Sequence, residues 1–232
     1  MKKYGIFETG NVKSHLRQKY GSYPEMVKDL IGDQLPGSRF DTISVVNGDD
    51  LPVMTDYDGF IYMGSRFSVY DDLTWIAPVK QFIRDAAERS IPQVGICFGH
   101  QLMAEALGGK VEPKGWIVGA QLYSRDDCSE DSVTAYAYHR DQVTRLPDNV
   151  EVILTHQHCP YAGLRYRDIP AYSVQFHPEF GPGFMGELIE MTAGNPVDED
   201  VAASALASLE RPLDRGVIAE KIARALLPLA DQ

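Results

Sequence analysis

Gly95-Ile96-Cys97-Phe98-Gly99-His100-Gln101 decides how the rest of this chain is read. Val94 and Ile96 are β-branched and apolar and read as the end of a buried strand, while Leu102, Met103, Ala104, Ala106 and Leu107 read as a helix leaving it. Cys97 falls on the turn between them. Glycines two residues either side of a nucleophile are what a strand-to-helix elbow needs, because so tight a turn leaves no room for side chains there. A thiol at a helix N-terminus faces unpaired N–H groups and the positive end of the helix dipole, which favour thiolate. The Phe98 N–H then points at a carbonyl under attack. A cysteine on a core strand is ordinarily buried and inert; the flanking glycines and the elbow setting argue for a nucleophile instead.

Upstream, Tyr4 to Phe7 reads as a first strand, and Ser22 with Glu25 forms a capping-box pattern ahead of a helix carrying Met26, Val27, Leu30 and Ile31 on one face. Phe40 to Val46 alternates like a strand. Phe60-Ile61-Tyr62-Met63 is a continuous apolar run of the kind found in parallel sheets. It ends at Gly64-Ser65, where glycine tolerates a turn that brings backbone N–H groups into a cleft, although an ordinary strand-end turn has the same composition. Asp71, Asp72 or Thr74 is expected to cap a helix whose apolar face is Trp75, Ile76, Val79, Phe82, Ile83 and Ala86. Strands alternating with helices predict an α/β fold, a parallel sheet covered on both faces. Ligands of such sheets bind beyond the carboxyl ends of the strands, so Gly64 and Cys97 are expected to face one cleft.

Downstream, Val118 to Tyr123, Val133 to Tyr138 and Val150 to Leu154 read as short strands with no helix between them, a smaller antiparallel stretch. Arg125 to Asp131 reads as a polar, solvated turn. His156-Gln157-His158-Cys159 has donors for zinc, but no second cluster completes four ligands, so it reads as a loop with polar contacts and no metal is expected. Ala171 to Phe176 reads as a strand with His177-Pro178-Glu179 at its end. Helices close the chain, among them Val201 to Leu209 and one carrying Val217, Ile218, Ile222, Leu226 and Leu227. The 232 residues are read as a single domain, 1–232, with a helical extension over about 182–232.

Composition narrows the function classes. The formal net charge of −11 with no basic cluster disfavours nucleic acid and anionic membrane surfaces as partners. Three cysteines without paired spacing suit a reducing compartment, and the start of the chain lacks the pattern of a cleaved signal peptide, so a cytoplasmic location is expected. His177 is the natural base for Cys97, and Glu179, two positions along an extended segment, the natural group to orient it. A histidine alone at a strand end is more often merely polar; with the elbow it completes a nucleophile, base and orienter.

With these motifs together the chain resembles the class I glutamine amidotransferase family. The likeness rests on GICFGHQLMAEALGG at 95–109 and VQFHPEF at 174–180, supported by MGSRFSVYDD at 63–72 and YHRDQVTRLP at 138–147. The resemblance implies a flavodoxin-like, mostly parallel sheet. It implies Cys97 as nucleophile, His177 as acid/base, Glu179 as its partner, and backbone N–H groups of Gly64, Ser65 and Phe98 as the oxyanion hole. Gln101 matches a substrate-contacting glutamine, and the backbone at Tyr138-His139 matches the edge that holds the α-amino and α-carboxyl groups. The implied substrate is glutamine, attacked at its γ-carbonyl to give a γ-glutamyl thioester, ammonia and then glutamate, with no cofactor. Ser65 and Tyr138 depart from the family's smaller residues. No synthetase domain is read in the chain, which leaves the ammonia to a separate synthetase subunit. The likeness is to the free-standing branch similar to the glutaminase part of GMP synthase, some of whose members cleave γ-glutamyl peptides. Amide and peptide differ only in leaving group and stay open, as do a lid, a homodimer contact or a docking face for the tail helices. A catalytically idle regulatory subunit is the alternative of another class; the intact Cys97, His177 and Glu179 argue against it.

Overall fold

The computed structural model describes residues 1–125 and 128–228. In chain order the elements are β1 (Lys3–Phe7), α1 (Ser14–Tyr20), α2 (Tyr23–Ile31), β2 (Arg39–Ile43), β3 (Gly59–Tyr62), α3 (Ile76–Glu88), β4 (Gln93–Ile96), α4 (Phe98–Ala106), β5 (Lys110–Arg125), β6 (Cys128–Arg145), β7 (Val150–His156), β8 (Cys159–Tyr166), β9 (Ala171–Val174), α5 (Pro182–Thr192), α6 (Glu199–Ala207) and α7 (Arg215–Ala225). The strands form one sheet in the order β2-β1-β3-β4-β9-β8-β7-β5-β6. From β2 to β9 every neighbouring pair is parallel; from β9 onward the pairs are antiparallel. This is the expected flavodoxin-like α/β arrangement, with an antiparallel arm along one side.

Both faces of the parallel part are buried, so its strands carry apolar residues on both faces rather than at alternate positions only. Tyr4, Ile6, Ile61, Met63, Val94 and Ile96 face one way, into a core shared with Val27 and Ile31 of α2 and Ile218 and Ile222 of α7. Phe7, Phe60 and Tyr62 face the other way, against Phe82 and Ile83 of α3 and Leu102 and Met103 of α4. The last helix thus completes one face of the sheet.

Several expectations are corrected in detail. The reading of Phe40 to Val46 as strand stops at Ile43, because Val45–Asn47 coil into a 3₁₀ turn ended by left-handed Gly48. No side chain caps α3, whose N-cap position is Trp75. Asp71 is drawn back into its own turn instead, where its carboxylate accepts from the Ser68 N–H at 2.9 Å. The two strand candidates around 118 and 133 are parts of two long antiparallel strands, β5 and β6, so the expected polar turn at Arg125 to Asp131 is strand at its described ends, and its Asp126-Asp127 lie outside the described residues. The expected loop at His156 to Cys159 is a tight β-turn: His156 pairs with Cys159 across it, and Cys159 opens β8, burying Ala162, Leu164 and Tyr166 on alternate positions. Among the described residues no helix is long and apolar enough to cross a membrane.

Candidate active site

Cys97 sits between β4 and α4 with φ 53° and ψ −103°, a conformation that costs a non-glycine residue roughly 1–3 kcal/mol and persists only where the surroundings impose it. Here close approach imposes it. A Cβ at Gly95 would lie 2.6 Å from the Gly99 carbonyl oxygen, and one at Gly99 would lie 2.0 Å from the carbonyl oxygen of Tyr62 on β3. The Cys97 N–H donates to Val174 O of β9 at 2.8 Å, and the Gly99 N–H to Met63 O at 2.9 Å. The elbow is therefore clamped from both neighbouring strands, and Phe98, as first residue of α4, directs an N–H that no helical carbonyl can accept.

Just past β9, the His177 N–H donates to Tyr136 O at 2.7 Å, and His177 Nδ1 meets Glu179 Oε1 at 2.8 Å. The imidazole lies flat on Phe180, 4.1 Å between centroids and 5° between planes. It also abuts Gly64, where a Cβ would come within 2.7 Å of Cε1. With Nδ1 committed to Glu179, Nε2 is the nitrogen left for the Cys97 sulfur. Burial pushes the His177 pKa down, but the charges of Cys97 and Glu179 and its hydrogen bonds to both outweigh that and hold it above the ordinary imidazole value. Glu179 is buried, and its Oε2 has no partner, so the carboxylate's charge is answered mainly by the ring.

The Gly64-Ser65 turn is held from behind by Thr9. The Thr9 hydroxyl donates to Met63 O at 3.0 Å and Gly64 O at 3.1 Å, and Ser65 Oγ donates back to Thr9 O at 2.7 Å. In a trans peptide the N–H points opposite its carbonyl, so fixing Gly64 O toward Thr9 aims the Ser65 N–H the other way. Neither the Ser65 N–H nor the Phe98 N–H has a backbone acceptor among the described residues. Sequence reading missed Thr9. Its signal was a small polar residue directly behind the β1 run.

Gln101 is buried, and its amide nitrogen donates to Asp141 O at 2.7 Å and Gln175 Oε1 at 3.1 Å; Gln175 Nε2 then lies 3.7 Å from Cys97 Sγ. The polarity of this chain is fixed at one end, because Asp141 O only accepts. Gln101 therefore presents its NH₂, Gln175 its oxygen to Gln101, and the Gln175 NH₂ faces sulfur. The sequence places Gln175 in a strand and in the VQFHPEF motif without giving it a role, since nothing local marks a glutamine whose partner lies 78 positions away. The Tyr138 carbonyl stands 4.0 Å from Sγ, and its hydroxyl donates to Thr192 Oγ1 at 2.9 Å. His139 is buried, with Nδ1–H donating to Asp141 O at 3.2 Å and Nε2 unpartnered; burial first, and then the charge of His177, pushes its pKa down to about 3. It is a neutral ring.

The expected positions gather at one cleft of about 440 Å³, which brings Gly64, Ser65, Cys97, Gln101, Tyr138, His139 and His177 together. Glu179 stands behind His177, and Phe98 packs on Trp75 with ring centroids 5.7 Å apart. Cys159 is elsewhere in the core, and burial pushes its thiol up to about 12.

The family profile described as glutamine amidotransferase class-I matches residues 40–191, well over half of the chain. A glutamine amidotransferase-like protein of Schizosaccharomyces pombe is 27% identical, with 90% of this chain and 92% of that protein covered. Gamma-glutamyl peptidase 4 of Arabidopsis thaliana is also 27% identical, over 90% of this chain and 89% of the relative. A glutamine-hydrolysing GMP synthase subunit of Methanopyrus kandleri is 37% identical over 44% of this chain and 61% of its own length. Among solved structures, a glutamine amidotransferase from Thermotoga maritima superposes with a TM-score of 0.72 at 20% identity, covering 97% of this chain and 96% of that one, a likeness of fold.

Proposed function

Because this chain belongs to the class I glutamine amidotransferase family, we propose that it hydrolyses γ-glutamyl amide bonds, glutamine being the simplest, with Cys97 as nucleophile. The observation that carries this reading is the pairing of an elbow cysteine with an imidazole whose Nδ1 is held 2.8 Å from a buried carboxylate. The Cys97 thiolate attacks the γ-carbonyl, and the oxyanion forms toward the Phe98 and Ser65 N–H groups, with Gly64 shaping the turn. His177, protonated at Nε2, gives its proton to the departing nitrogen as the C–N bond breaks. Water then adds to the γ-glutamyl thioester with His177 as base, releasing glutamate and restoring the thiolate. Glu179 holds the ring and its charge. Gln101 spends both N–H bonds on protein, which leaves its Oε1 to accept from the substrate. With Tyr138 and His139 it takes the α-amino end.

When glutamine is the substrate, the ammonia needs an acceptor. Likeness to the Methanopyrus GMP synthase polypeptide supports a separate synthetase subunit in that role. Likeness to a gamma-glutamyl peptidase over nearly the whole chain supports the other leaving group, an amino acid.

A glutamine-like electrophile followed by peptide mass spectrometry tests the mechanism. Stoichiometric labelling of Cys97, blocked by excess glutamine or γ-glutamyl peptide, is expected. Labelling of Cys128 or Cys159 with Cys97 untouched overturns it.

A further inference from the structure

Resting on the function proposed for this cleft, we infer that the leaving group is an apolar or aromatic amino acid, so that the substrate is a γ-glutamyl dipeptide of that class. The acid that protonates the departing nitrogen has to stand beside it, which puts the leaving group on the His177 side. That side is apolar. The His177 ring rests on Phe180, and Phe180 on Phe184 at 4.5 Å between centroids. Leu16 of α1 and Leu188 and Met191 of α5 continue the same cleft, and Trp116 packs on Tyr138 at 5.4 Å along it. Phe180 and Phe184 are buried and back the His177 ring, while Leu188, Met191, Trp116 and Tyr138 keep part of their surface open. A side chain carried on the leaving nitrogen would be buried against these four and gain the apolar contact; ammonia would leave them wet.

Size and charge agree. Clefts of roughly 300–1,000 Å³ suit ligands larger than one free amino acid, and this one is about 440 Å³. The chain as a whole is at −11, yet the charged side chains on the cleft, besides the catalytic pair, are Lys13, Arg66, Arg140 and Asp141. Arg140 pairs with Asp141 at 3.2 Å, while Lys13 and Arg66 make no ion pair among the described residues. A γ-glutamyl dipeptide brings two carboxylates and one ammonium, against one of each for glutamine, and Lys13 together with Arg66, which lies 4.8 Å over the Phe67 ring, answers that excess. The bond chemistry is unchanged: the C–N bond breaks, the amino acid leaves with the proton from His177, and water supplies the hydroxyl that ends on glutamate.

The test measures glutamate release by the full chain from γ-Glu-Phe, γ-Glu-Gly and glutamine. We expect kcat/KM for γ-Glu-Phe to exceed that for γ-Glu-Gly by roughly tenfold or more, the discrimination a buried aromatic side chain supplies. Leu188→Asn should lower kcat/KM for γ-Glu-Phe by roughly tenfold and so remove its advantage over γ-Glu-Gly. Equal turnover of the two dipeptides, or glutamine as the sole substrate, overturns this inference and leaves the thiolate reading standing. Release of glutamate from none of the three overturns both.

Discussion

The parallel half of the sheet and the antiparallel arm with α5 and α6 packed on it meet at one cleft, but they hold their shares of it by different physics. At the parallel end, position is fixed by backbone against backbone. Gly99 leaves 2.0 Å between an added Cβ and Tyr62 O, and Gly95 leaves 2.6 Å to Gly99 O. On the far wall, position is fixed by side chains that can give. An added Cβ at Gly186 of α5 would meet only Leu209 Cδ1, at 3.3 Å. The elbow is held where nothing can yield and the far wall is built where much can; under the function proposed above, these are the reacting end and the leaving-group wall, and the difference is how a single chemistry acquires a particular substrate.

The same substitution in the two places breaks or sharpens that contrast most. Gly99→Ala forces a methyl into a carbonyl oxygen of β3, and neither backbone can retreat without tearing the sheet. We expect loss of several kcal/mol, seen as little folded protein or a melting temperature lowered by roughly 10 °C or more. Gly186→Ala gains helix propensity of up to about 1 kcal/mol against a small shift of Leu209, and should melt within a few degrees of the parent. Equal melting of the two variants in circular dichroism would break the comparison.

Next in size is Glu179→Gln, which keeps the shape of the parallel end and removes its charge. Catalysis should fall by about 100- to 10,000-fold in kcat, as when the orienting carboxylate of a triad is lost. The pH profile supplies the sign. Burial lowers the His177 pKa while Cys97 and Glu179 raise it, so removing the Glu179 charge brings the pKa down. The alkaline limb of kcat/KM, where the imidazolium is lost, should move to lower pH. Because a raised folded pKa stabilises fully below the unfolded value near about 6.5 and is lost as pH rises through the folded one, the variant should also lose less stability on going to alkaline pH. A limb that stays in place would remove Glu179 from this role.

Gln175→Glu is smaller in effect and tests the connection between the halves, since Gln175 joins sulfur to a carbonyl of β6 through Gln101. A carboxylate still accepts from Gln101 but sets negative charge where an N–H faced Cys97. Alkylation of Cys97 by iodoacetamide at fixed pH should slow, with kcat/KM lowered by roughly tenfold. An unchanged alkylation rate would reduce Gln175 to packing.

What the sequence made legible follows the same division. The elbow could be read because its causes are local: two glycines, an apolar strand and a helix close together along the chain. His177 and Glu179 were legible because two positions on an extended segment share a side. Thr9 and Gln175 were not, because each acts through partners far along the chain. Nor was β8, whose buried Cys159, Ala162 and Leu164 sit beside residues that read as a polar loop. The tail helices were visible as amphipathic, but an apolar stripe does not say which surface it meets. Only packing puts Ile218 and Ile222 of α7 on the sheet beside Ile61 and Val94.

The smallest effect expected reaches across from that tail to the reacting end. Asp214 and Thr134 exchange hydrogen bonds, Asp214 N–H to Thr134 O at 3.0 Å and Thr134 N–H to Asp214 Oδ2 at 2.7 Å, which anchors the start of α7 on β6. From there Arg215 donates to Pro178 O at 3.0 Å and Glu179 O at 3.2 Å, holding the backbone that carries the carboxylate. Arg215→Met keeps the stem and removes both donors. A partly exposed pair of such bonds is worth about 1–2 kcal/mol, some of it recovered by water. Because Arg215 acts on Glu179 and not on the ligand, kcat should fall by roughly threefold with KM unchanged, and Arg215→Lys should recover part of it. A change in KM alone would mean that α7 acts on the binding wall, and the division between a rigid reacting end and a yielding wall would have to be redrawn to put the tail on the other side.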